Sequence, residues 1–300
     1  MPPKAIPPAR DRLQSRILVW IVAPLIAWSC AQIIHFFYGW ESPLLRDLAV
    51  SIAFALAAWF LRAATPAAAL IGGMICLLLT LWSGLAIESP LHSALTPLLT
   101  LFILTFLATR AGRKKKSERG LEESHRGRRA SQVIANLGVA ALLPNLVGLI
   151  TWVAEHPGIS DLSSFWVLRV VILAVLAEAT ADTVSSEIGH AFGGMPILVT
   201  TFRTVEPGVD GAFSFTGTAA GILAAAIVSG AGIWSMHLQT PDFCIVLSAA
   251  TLGLFFDSLL GATLERRGWI GNDLVNFFST AFAAALSLLA IRFGQGHLFR

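Results

Sequence analysis

Charge is scarce in this chain. Asp, Glu, Lys and Arg make up 13% of its 300 residues, while hydrophobic residues reach 55% and the mean hydropathy is +0.72. Cysteine is nearly absent. Cys30, Cys76 and Cys244 lie singly in apolar segments, which excludes a disulfide framework or a thiolate metal site. The seven histidines form no HxxH or HxxxH pair, so a metal–histidine centre is excluded as well. The short alternating segments of a membrane β-barrel are missing. No Gly-Lys-Ser/Thr follows the glycine-bearing loop near residue 210, so there is no Walker A site. The one dense basic stretch has no aromatic interleaving, which argues against nucleic acid as a partner. No internal repeat of the transporter type is visible.

What is present is apolar sequence in long runs. Stretches of about 20 residues suffice to cross a ~30 Å hydrocarbon core as helices, and lipid demands that backbone groups be paired internally. The expected fold is therefore all-α, a polytopic integral membrane helix bundle lying in the lipid bilayer. The runs predict nine transmembrane helices, at 17–38, 44–62, 66–87, 91–109, 130–152, 165–187, 212–234, 242–262 and 274–294. The first resembles a signal peptide after Arg10, Arg12 and Arg16, but its apolar run is too long and lacks an A-x-A site, so it is expected to be retained. Four regions follow: a cytoplasmic segment 1–16, four membrane helices 17–109, a basic cytoplasmic loop 110–129, and a five-helix region 130–295. Basic residues favour the cytoplasmic side. Lys4, Arg10, Arg12, Arg16, Arg62, the cluster from Arg110 to Arg129, Arg203, Arg266 and Arg267 fall on one side, leaving Arg46, Arg169, Arg292 and Arg300 on the other. The chain is thus expected to be multi-pass in a bacterial inner (plasma) membrane with its N-terminus inside. The basic loop serves as a topology signal and solvated linker, or as a patch for anionic headgroups or a phosphorylated substrate.

The informative residues are the acids and amides where lipid should forbid them. A charge near the bilayer core costs about 2.5–3.5 kcal/mol on insertion scales, so such residues face a bundle interior and mark sites. Glu178, Asp182 and Ser185 or Ser186 share one helical face. Glu187 points away from that face unless the helix frays near Gly189, in which case it turns back towards Asp182. Asp182 and Glu187 then suit Mg²⁺, which takes one or two carboxylates together with substrate phosphates. The loop through Arg203, Gly208 and Gly211 to Ser214 leads into a helix whose N-terminus favours anions. Gly217 and Gly221 are expected to form a packing seam. Gly253, Asp257 and Gly261 share a face, with small residues flanking the acid. Asn272, Asp273 and Asn276 open the last helix, where Asn272 caps it or touches ligand. Gln132 and Asn136, four residues apart, face the bundle as structural or binding groups.

Several of these segments together resemble the domain-of-unknown-function 92 family, also called the transmembrane protein 19 family. The resemblance runs from about residue 126 to 285. It rests on Gln132-Val133-Ile134-Ala135-Asn136, on Ala181-Asp182-Thr183-Val184-Ser185-Ser186-Glu187, on Pro207-Gly208-Val209-Asp210-Gly211 with Ser214, on Phe256-Asp257-Ser258-Leu259-Leu260-Gly261, and on Asp273-Leu274-Val275-Asn276-Phe277. The first 125 residues add only generic hydrophobicity. The family's usual Gly-Thr-Asn-Gly reads Gly208-Val209-Asp210-Gly211 here, and its Asn-Gly reads Asn136-Leu137-Gly138. The family includes the plant phytyl-phosphate kinase of vitamin E synthesis. The resemblance therefore implies transfer of phosphate from a nucleoside triphosphate, CTP or ATP, to an isoprenyl (phytyl or geranylgeranyl) monophosphate, with Mg²⁺. On that reading Asp182, Asp257 and Asp273 are catalytic and Asp182 with Glu187 holds the metal. Gln132, Asn136, Ser186, Arg203, Gly208, Gly211, Ser214, Asn272 and Asn276 bind substrate or nucleotide. The rival expectations are a transporter or lipid flippase with an intramembrane acidic site, and a non-catalytic lipid-binding protein.

Overall fold

A computed structural model describes residues 7–36, 41–83, 89–121, 127–154 and 165–298. It is an all-α bundle of ten helices among those residues: α1 Pro8–Phe36, α2 Glu41–Phe60, α3 Pro66–Ser83, α4 Leu95–Arg110, α5 Arg113–Glu118, α6 Ala130–Ala154, α7 Phe165–Phe192, α8 Phe215–Ser235, α9 Thr240–Leu260 and α10 Asn272–Leu298. Two two-residue strands, β1 Ile197–Leu198 and β2 Ala212–Phe213, pair antiparallel ahead of α8.

Each of the nine expected spans coincides with a helix, although residues 37–38 and 84–87 lie outside the described residues. Among the described residues, five helical segments are long and apolar enough to cross a membrane: Pro8–His35, Pro66–Ser83, Phe215–Ser235, Thr240–Glu265 and Asn272–Gly294. The outer faces are apolar in the way lipid contact requires. On α1, for example, Trp20, Ile21, Leu25 and Trp28 are all exposed.

The core is organised around α7. Every residue from Val170 to Ala181 is buried, so this helix is surrounded by protein on all sides, and Val170–Ala177 is apolar all round. Glycine brings α8 against it. A Cβ on Gly217 would lie 2.5 Å from the Ser185 carbonyl oxygen, and one on Gly221 would lie 2.5 Å from that of Ala181. The expected packing seam is therefore real, and it joins two backbones. Gly253 does the same for α9, where a Cβ would meet the Glu178 side chain at 2.5 Å.

Two expectations need correction. First, α7 does not fray at Gly189; it continues unbroken to Phe192. Second, the basic stretch is not simply a solvated linker. Part of it folds as α5, and Lys116 is buried, donating to the carbonyl oxygens of Ala108 (3.2 Å) and Thr109 (2.7 Å) and to Glu187 Oε2 (2.5 Å). Arg119 donates to the His190 carbonyl at 2.8 Å, and Lys115 sits over the Phe192 ring. These cations gather at the C-terminal end of α7, where free carbonyls and the helix dipole favour positive charge. Residues 122–126 of this stretch, Arg126 included, lie outside the described residues, as do Lys4 and Arg300.

A polar cavity at the end of the central helix

A polar cavity of about 160 Å³ lies where the last turns of α7, the loop before α8, the end of α9 and the start of α10 converge. From α7 come Asp182, Ser185 and Ser186; from α9 come Asp257 and Ser258; Glu265 enters from the π-helical turn Gly261–Glu265. Pro207 to Phe213 form one wall and Asn272 another. Residues separated by 90 positions in the chain thus present hard oxygen donors to one space.

Local structure explains each placement. Ser214 is the N-cap of α8, accepting the Gly217 N–H at 3.1 Å, so the α8 N-terminus is aimed at the cavity. Such an end attracts anions. Gly211 has φ of +72°, and a Cβ there would fall 2.1 Å from the Ala262 nitrogen. Only glycine permits this close approach, which locks the 207–211 loop onto the π-helical turn. Gly208 (φ +91°) packs similarly against Leu121. The glycines are accounted for by loop closure against neighbouring protein.

Both carboxylate oxygens of Glu178, one turn below Asp182, are buried without a hydrogen-bond partner, as is Asp257 Oδ2. Arg128 is close enough for its charge to act on Asp182, and Arg266 acts on Asp210. The enclosing protein raises the pKa of the Asp210 carboxyl, even though that residue is exposed on its loop, and Arg266 opposes the rise. Among the described residues, no three His, Cys, Asp or Glu side chains are gathered closely enough to ligate a metal unaided.

Of the expected site residues, Asp182, Ser186, Gly208, Gly211, Ser214, Asp257 and Asn272 line this cavity together. Gly271, whose carbonyl accepts from Leu274 and Val275, takes the α10 cap position, so Asn272 is free to face the cavity. The others lie elsewhere. Glu187 is turned to α5 and α4, bonded to Lys116 and to Thr109 Oγ1 (3.1 Å). Asp273 is buried and accepts the Ser15 hydroxyl of α1 at 2.6 Å. Gln132 accepts the Arg129 N–H at 2.7 Å, as a helix-start bond. Asn136 accepts from Asn276 at 3.4 Å, linking α6 to α10. Arg203 is exposed on the turn after β1, outside the cavity wall. Glu265 and His190, which sequence reasoning did not single out as site residues, were detectable only through their neighbourhood to the glycine-rich turn and to the acidic end of α7.

Residues 49–284 match the family of integral membrane proteins DUF92. The chain belongs to that family. The match begins well before residue 126, so α2 to α5 are part of the family's common body and not generic hydrophobic sequence. An uncharacterized membrane protein of Methanocaldococcus jannaschii is 34% identical over 195 residues, 64% of this chain and 74% of that protein. An uncharacterized membrane protein of Synechocystis is 31% identical over 193 residues, 63% of this chain and 70% of that protein. The chloroplastic protein VTE6 of Arabidopsis thaliana is 26% identical over 195 residues, 64% of this chain but only 56% of its own length. No solved structure matches.

Proposed function

We propose that this DUF92 protein is an integral membrane phosphotransferase of the prenyl-phosphate kinase type, using Mg²⁺ and CTP or ATP. The observation that carries the proposal is the convergence of Asp182, Asp257 and Glu265 with the α8 N-terminus on one polar cavity in an otherwise apolar bundle. Phosphoryl transfer asks a protein mainly for positioning and charge neutralisation. The cavity supplies both: carboxylates for a hard cation, and backbone N–H groups at a helix start for phosphate oxygens.

The donor set fits Mg²⁺. Asp182, Asp257 and Glu265 offer carboxylate oxygens beside a single imidazole (His190), Asp257 Oδ2 lacks a partner, and Mg²⁺ commonly completes its shell with waters and substrate phosphates. Asp182 and Asp257 would hold it, with Glu265 nearby. When bound, the ion screens the developing charge on the transferred phosphoryl group. The 207–211 loop walls one side of the cavity, while Ser214 keeps the α8 N–H groups oriented. With the N-terminus cytoplasmic, the cavity lies on the cytoplasmic side, where nucleotides are available.

A second reading, transport or lipid flipping, is favoured by one observation. Glu178 is wholly buried in the centre of the bundle with neither oxygen bonded, and unpaired intramembrane acids often line substrate or proton paths. The deciding experiment uses purified protein in detergent with Mg²⁺, γ-labelled ATP or CTP, and phytyl or geranylgeranyl monophosphate. Label in a prenyl diphosphate, lost in Asp182→Asn, is the expected result. No transfer from folded protein with either nucleotide, to either monophosphates or free alcohols, overturns the kinase reading in favour of transport.

A further inference from the structure

A second cavity, of about 300 Å³, lies between α2, α3, α4 and α6, against α7 at Ala179. Its interior is apolar, walled by Phe54, Leu98, Leu101, Phe102 and Val133. One end is different: Arg62, Arg110 and Arg128 border it, with Arg113 beside them. We propose that this cavity binds a single-chain lipid phosphate, its chain among the apolar walls and its phosphate at the arginine-lined end. The proposal deepens the kinase reading, on which its functional meaning rests, by stating where the acceptor lies.

Four arguments carry it. An apolar recess of this size is no place for ordered water. Its volume is at the lower end of small-molecule sites, which suits one chain better than the two of a bulk phospholipid. The guanidinium fork matches phosphate, and Arg62, Arg110 and Arg128 bring three such groups to one end. Finally, the end is built rather than incidental. Arg128 is fixed by two backbone bonds to the α2–α3 turn, its N–H donating to Ala63 at 2.9 Å and its carbonyl accepting from Thr65 at 3.0 Å. Gly127, at φ of +79°, makes that contact possible, since a Cβ would lie 2.6–2.7 Å from the Arg62–Ala64 backbone. Arg110 is held over the Phe106 ring, 4.0 Å from its centre.

The two cavities are neighbours. Ala179 lines the apolar one and Asp182, one turn further along α7, lines the polar one. Arg128 borders the first and acts on Asp182 in the second. A phosphate held by Arg128 is therefore presented to the acids from the lipid side, while a nucleotide enters from the loop side.

The test is photolabelling of the intact protein in nanodiscs of zwitterionic lipid, without nucleotide or Mg²⁺. The probe is geranylgeranyl monophosphate with a diazirine at the end of its chain. Label should map to α2, α3 and α4 peptides. Unlabelled geranylgeranyl monophosphate should compete at least tenfold better than geranylgeraniol, and inorganic phosphate should not compete. Arg128→Gln should weaken labelling about tenfold, as loss of one charge-assisted contact predicts. Ala69→Phe should block the slot; if either variant misfolds, competition on the wild type alone decides. Label mapping to α8 and α9, or equal competition by the alcohol, overturns the proposal. Label in the slot with no phosphoryl transfer under any nucleotide would instead sink the kinase reading and leave the lipid site standing.

Discussion

Glu187 is where sequence expectation and structure differ most usefully, and its replacement separates a structural role from a metal-binding one. Its carboxylate is paired with Lys116, whose side chain is 1% exposed, at 2.5 Å. Removing one partner of a buried pair leaves an uncompensated charge and costs roughly 3–5 kcal/mol. Glu187→Gln should therefore lower stability by about that amount, since Lys116 keeps only the Ala108 and Thr109 carbonyls. Lys116→Met should cost a similar amount, because the carboxylate keeps only the Thr109 hydroxyl. Replacing both with apolar residues should be far less damaging than the sum, since buried pairs are often replaceable by packed hydrophobes at little net cost. The assay is reversible unfolding in mixed micelles titrated with SDS, run as a double-mutant cycle. In parallel, the Mg²⁺ concentration for half-maximal prenyl-phosphate transfer should be unchanged in whatever fraction of Glu187→Gln remains folded. A Glu187→Gln protein of wild-type stability whose transfer needs much more Mg²⁺ would refute the reasoning and restore Glu187 as a metal ligand.

Three other outcomes follow from the geometry. Gly211→Ala meets both a left-handed backbone and the Ala262 backbone at 2.1 Å; it should cost at least ~2 kcal/mol and reduce nucleotide affinity, measured by unfolding and by the KM for nucleotide. Ser15→Ala removes the hydroxyl that Asp273 accepts; stability should fall by ~1 kcal/mol with kcat within about twofold of wild type, and a collapse of kcat would return Asp273 to the chemistry. Glu178→Gln removes a carboxylate that has no partner; it should leave stability equal or raised by about 1 kcal/mol and keep transfer, whereas loss of transfer with intact folding would place Glu178 in the chemistry.

The helices were legible because lipid imposes a simple rule: a long apolar run must be a helix, and each expected span met one. Asp182 and Asp257 were legible for the complementary reason, since a charge in such a run needs a purpose. Long-range pairing was not legible. Nothing near Glu187 announces that Lys116, 71 residues earlier, folds back to neutralise it, and the same holds for Ser15 and Asp273. The glycines at 208 and 211 were visible as loop formers, but periodicity does not tell whether the space beside a glycine belongs to a ligand or to a neighbouring backbone. Here Leu121 and Ala262 occupy it. The apolar cavity was invisible because its walls come from five separate helices, each unremarkable alone.

The enclosure of α7 has a consequence for how the protein is made. Helices leave the ribosome in chain order, so α7 reaches the membrane before α8, α9 and α10 exist to cover its acid face. Until they arrive, Glu178 and Asp182 stand in hydrocarbon at a cost of ~2.5–3.5 kcal/mol each, offset by the apolar run Val170–Ala177 and by contact with α3, α4 and α6. Insertion of the central helix is thus provisional, completed only when the glycine seam of α8 closes on it. A chain ending at Phe192 would expose the acids with no permanent shelter, which makes the C-terminal third an internal chaperone for the helix at the centre.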